Sequence, residues 1–128
     1  MTQEQKGILF KDLCTRLPYE VKASFYGVDE ECECIDVIDT IYLNSITPEI
    51  GIGQYGLPIE KVKPYLLPLS SMTEEQSKIY HELIRGMFGT NFLINFETLE
   101  DFFNKNHFDY RGLIPMGLAI DASNLNIY

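Results

Sequence analysis

The stretch from Val21 to Ile46 reads VKASFYGVDEECECIDVIDTIYLNSI, and its pattern decides the fold class. Val21, Ala23 and Phe25 alternate with Lys22, Ser24 and Tyr26, the two-residue period of a half-buried strand. Gly27-Val28-Asp29 reads as a turn. Cys32–Ile38 and Thr40–Ile46 are rich in Ile, Val and Tyr and predict two further strands. Glu49–Gly53 predicts a fourth, shorter one. Such closely spaced strands imply a small antiparallel sheet of three to five strands, for which an SH3-like barrel is one closed form.

Working outward, the sheet is flanked by helices. Thr2 with Gln5 three residues later has the form of a capping box. Leu9, Leu13 and Leu17, with Phe10 and Cys14, make one apolar stripe that Pro18 ends. On the other side, Pro58, Pro64 and Pro68 exclude a long helix from residues 58–72, which read as a connector. Thr73 with Gln76 repeats the capping box, and Ile79, Leu83 and Met87, with Tyr80 and Ile84, predict a second helix ending near Gly86. A third is expected from Thr98, with Leu99, Phe102 and Phe103 facing inward. The Gly- and Pro-broken tail beyond it keeps Leu113, Ile114, Leu118 and Ile120, so it is expected to dock on the body. The reading is therefore α+β: one domain over residues 1–128, with a strand-rich half at 18–57, the connector, and a helical half at 73–128.

Charge is concentrated. Residues 23–60 hold eight carboxylates and no Lys or Arg, which accounts for most of the net charge of −9. Direct nucleic-acid binding is disfavoured, because neutralising phosphates requires clustered cations. A basic protein partner is easier to accommodate. Glu30, Glu31, Glu33 and Asp36 are the candidate partner-binding residues. Their structural role would be a solvated face that keeps an edge strand from aggregating. The N-terminus lacks a basic patch followed by an apolar run, no segment is a membrane span, and three cysteines are an odd count. Reduced thiols in a cytoplasm are expected.

Chemistry-bearing patterns are few. Gly51-Ile52-Gly53-Gln54-Tyr55-Gly56 fits G-x-G-x-x-G, but Leu57-Pro58 follows where a phosphate-binding helix should start, so the glycines are expected in turns or a bulge. Cys32-x-Cys34 lacks the spacing of a zinc pair, and neither metal nor cofactor is expected. Cys14 is read as a packing residue on the first helix. His107, Asp109, Tyr110 and Arg111 are the candidate catalytic set: Asp109 would orient His107 as a base, Arg111 would hold an anion and Tyr110 would donate a proton. Their structural alternative has Asp109 and Arg111 bonding each other or backbone groups, clamping the tail against the third helix.

Two segments carry a resemblance: Lys63-Pro64-Tyr65-Leu66-Leu67-Pro68-Leu69-Ser70-Ser71-Met72-Thr73-Glu74-Glu75-Gln76, and the tail from His107 to Asp121. Both resemble a family of small proteins, of unassigned activity, carried by prophages and mobile elements of gut anaerobic bacteria. The resemblance covers roughly residues 1–20 and 61–128 and leaves 23–60 as the surface where partner choice would lie. It implies a phage-type origin and no activity; the acidic middle and compact size point to an accessory protein binding a host or phage protein. With no converged catalytic set legible, the chain is expected to be a non-enzymatic protein-binding module with an acidic surface. The alternatives are a small hydrolase or transferase using the His107–Arg111 cluster, and a phage structural or assembly protein.

Overall fold

A computed structural model of the chain describes residues 1–26, 33–42, 49–53, 55–87 and 92–128, with only the backbone considered at 92–95. The fold is α+β. Helix α1 (Gln3–Arg16) precedes strands β1 (Lys22–Tyr26), β2 (Glu33–Tyr42), β3 (Glu49–Ile52), β4 (Tyr55–Pro58) and β5 (Val62–Leu66). Helices α2 (Glu74–Gly86) and α3 (Phe92–Lys105) follow, and the two-residue strand β6 (Ile120–Asp121) lies in the tail. The sheet order is β4-β3-β2-β1-β5-β6, antiparallel except for the parallel pair β5–β6.

Both helix starts are set by the local chemistry expected of them. Thr2 and Thr73 each accept from the N–H of the residue three places on, and Gln5 and Gln76 reciprocate. The inner face of the sheet carries Val21, Ala23 and Phe25 from β1, Ile38 from β2, Ile50 and Ile52 from β3, and Val62 and Leu66 around β5. Leu9 and Leu13 of α1 cover it, together with Leu113, Leu118 and Ala119 of the tail. A second cluster, Leu99, Phe103 and Phe108, joins α3 to the tail and to Tyr80, Leu83 and Ile84 of α2.

The structure differs from the sequence reading in five places, the first being α3, which begins at Phe92 and not at Thr98. Among the described residues the sheet has six strands, not three to five. The two strands expected at Cys32–Ile38 and Thr40–Ile46 are one, over their described residues: Glu33–Tyr42 runs through Asp39 with a bulge, where the register against β3 shifts between Ile38 and Thr40. The proline connector contains β5. Pro64 lies buried within that strand opposite Ala23, and its fixed extended backbone suits a strand as well as it forbids a helix. Finally, Cys14 is exposed and not packed, because the buried side of α1 is the strip of Leu9, Asp12, Leu13 and Arg16.

The hairpin β3–β4 absorbs the glycine pattern. Ile52 pairs with Tyr55 across the turn, where Gly53 has φ +58°. Gly51 is there for close approach: a Cβ would run into Thr40 Oγ1 on the neighbouring strand. Gln54 lies outside the described residues. No helix among the described residues is long and apolar enough to cross a membrane.

Candidate functional site

Two regions were marked by sequence, the His107–Arg111 segment and the acids of β2. The first is built around residues that sequence reading passed over. Asp12 and Arg16 are four apart on α1, in line with Leu9 and Leu13, and both are fully buried. Arg16 Nε donates to Asp12 Oδ2 at 2.7 Å, and Arg16 Nη2 donates to the carbonyl of Phe108 at 2.6 Å. Arg111 reaches the same carboxylate from the tail, Nη1 to Asp12 Oδ1 at 2.9 Å, and lies 3.5 Å from Glu100 through Nη2. The Tyr110 ring stacks on Phe103 at 4.9 Å and has both guanidinium groups near its face, at 5.2 and 4.6 Å. A polar pair at i, i+4 on the same helical face as two leucines was the available signal. Its two polar letters hide it, because an apolar stripe is defined by its apolar positions alone.

Asp109 and Arg111 do not bond each other. Asp109 spends both oxygens on backbone N–H groups, Leu113 at 2.8 Å and Ile114 at 2.9 Å, folding the tail back on itself. Tyr110 Oη accepts from Arg111 at 2.7 Å and donates to Glu100 at 3.4 Å. His107 has a different task. It holds φ +61° directly after α3, the N–H of His107 bonds the carbonyl of Asn104, and that of Phe108 bonds the carbonyl of Phe103. This pair of bonds is a Schellman motif with His107 at the left-handed position, and Phe108 against Phe103 supplies its apolar contact. The imidazole stacks on Tyr128 at 3.7 Å and 7°. Burial, aided by the charges of Arg16 and Lys22, lowers its pKa to about 4, so the ring is neutral near pH 7.

Tyr128 fixes the tail to the sheet. Its phenol accepts from the Lys22 N–H at 2.9 Å and donates to the Tyr65 carbonyl at 2.8 Å, bridging β1 and β5 just beyond their last paired residues. Burial pushes that phenol up to about 12. The four residues proposed as catalytic thus contact one another less than they contact α1, α3 and the backbone of the tail.

The acids of β2 divide by strand alternation. Glu33 pairs with Tyr26, Ile35 with Ser24 and Val37 with Lys22, which places these six side chains on the outer face, opposite the core. Glu33 accepts from Ser24 Oγ and, at 3.5 Å, from Tyr65 Oη. Asp36 pairs with Ala23 and so emerges on the other side of the strand, at the rim of the inner face near Gly53. Glu30 and Glu31 lie outside the described residues. The bulge brings a different pair into line with Glu33: the Asp39 carboxylate lies by Thr40 and Gly51, and Glu49 is opposite Tyr42. The outer face of β2 and β3 therefore carries Glu33, Asp39 and Glu49, with Tyr26, Ile35 and Tyr42 each about half exposed among them, while Lys22 and Lys63 share that face on the side toward β5. Cys34 is half-buried on the inner side, and Cys32 lies outside the described residues.

Comparison of the chain with protein-family models, curated proteins and solved structures found no match.

Proposed function

We propose that this chain is a non-enzymatic, phage-type accessory protein that binds another protein through the outer face of β2 and β3. One observation supports the reading most: Glu33, Asp39 and Glu49 share an outer face with exposed apolar side chains, while the polar atoms of Asp109, Tyr110 and Arg111 are engaged inside the fold. Carboxylates at that surface favour a partner rich in Lys and Arg and repel nucleic-acid phosphates. They would act mainly by steering association, so complex formation should slow as salt rises and Debye screening shortens.

The test is affinity capture from bacterial lysate with the wild type and with Glu33→Gln/Asp39→Asn/Glu49→Gln. The wild type should retain a defined partner whose recovery falls between low and high salt, and the neutralised variant should lose it. Equal recovery of that partner by both proteins would defeat the acidic-surface reading.

A further inference from the structure

The acids border something. Along β2 the outward side chains run Glu33, Ile35, Val37, then Asp39 and Thr40 together at the bulge, and Tyr42, with Tyr26 beside the Glu33 end on β1. Ile35 is 50% exposed, Tyr26 49% and Tyr42 45%. From Ile35 to Tyr42 the stripe is ~23 Å long at the rise of an extended strand. On β3 and β4 the same face carries the paired glycines Gly51 and Gly56, with the Glu49 side chain over Gly56 and Thr40 over Gly51, so the ground beside Tyr42 is low. Isolated exposed apolar residues are ordinary on a protein surface; Ile35 and Tyr42 on β2 with Tyr26 beside them on β1, bordered by Glu33, Asp39 and Glu49, form a patterned surface.

Charge decides what fits it. A twofold axis centred on β2 and β3 would set Glu33, Asp39 and Glu49 of two copies against one another, since the cations of this face, Lys22 and Lys63, lie to one side toward β5 and Lys22 is engaged with the Ile127 carbonyl. An anionic lipid surface or a nucleic acid would meet the same repulsion. We infer that the occupant is a protein segment with a row of aliphatic or aromatic side chains bordered by Lys and Arg, docking lengthwise on β2. Its apolar row would cover Tyr26, Ile35 and Tyr42, and its cations would meet Glu33, Asp39 and Glu49. This rests on the protein-binding reading above and adds to it that contact is centred on the apolar stripe, with the acids as a rim.

The experiment is an NMR titration of the isotope-labelled full chain with a synthetic amphipathic peptide of Leu and Lys. Three control peptides have Lys replaced by Glu, Leu replaced by Ser, or the same residues in scrambled order. The Leu/Lys peptide should give saturable shifts at Tyr26, Ile35 and Tyr42, and the controls should bind more weakly. Ile35→Ser/Tyr42→Ser, changed only at half-exposed positions, should keep a dispersed spectrum and weaken binding about tenfold or more, as expected for lost apolar burial. If that variant binds normally while the neutralised acids do not, the stripe is overturned and the acidic surface stands. If neither variant weakens binding, both readings fall. If the same three residues shift on simple concentration of the protein, with dimers in sedimentation, a second copy is the occupant and the inference is wrong.

Discussion

Asp12 accepts from two guanidinium groups, one on its own helix and one from a residue ninety-nine positions away, and is fully shielded from water. A buried carboxylate in that position is held by its partners, and its removal strands two cations near a low-dielectric interior. Asp12→Ala should therefore lower stability by about 3–5 kcal/mol, while Asp12→Leu/Arg16→Met should recover part of the loss, both read from urea unfolding. His107 makes a second residue-level prediction. Its folded pKa is about 4 against an ordinary 6.5, so the folded state refuses a proton that the unfolded chain accepts. Its contribution is complete above about pH 6.5 and is lost as pH falls through about 4. The unfolding midpoint should drop over that window, and His107→Phe, which keeps a ring for Tyr128 to stack on, should flatten the drop. An unchanged slope in that variant would show that other groups drive acid unfolding.

The elements most legible in sequence are those whose signals are local. Thr2-to-Gln5 and Thr73-to-Gln76 announce α1 and α2, and both caps are formed; Thr73→Ala should cost about 1 kcal/mol in thermal or urea unfolding. The alternation of Val21, Ala23 and Phe25 announces β1, and all three are buried. Elements that depend on distant partners were illegible. Pro64 argues against regular structure until Ala23 is placed opposite it, and two residues such as Ile120-Asp121 become a strand only beside Tyr65 and Leu66. Asp39 looked like a break because a bulge is defined by the strand across from it. The acidic site was half legible for the same reason: alternation separates Glu33 from Asp36, but only the bulge and β3 bring Asp39 and Glu49 to the side of Glu33. The hairpin gives its own test. Gly51→Ala should destabilise by about 1–3 kcal/mol through contact with Thr40, and Thr40→Ala in that background should recover much of it.

At the scale of the whole molecule, the chain is organised as an inside and an outside around one sheet. α1 and the returning tail close the inner face, with Asp12, Arg16 and Arg111 tying the first helix to the last segment. Tyr128 then fastens the tail to β1 and β5. That closure leaves the outer side of β2 and β3 as a face with both charge and apolar exposure, where we propose that the partner binds. Carboxyl footprinting by mass spectrometry, with and without the captured partner, tests it most directly. Glu33, Asp39 and Glu49 should lose labelling in the complex while Glu74 and Glu75 at the start of α2 label as before. Protection confined to α2, α3 or the surroundings of Arg111, with the three sheet acids still labelling freely, would place binding elsewhere and overturn the proposal.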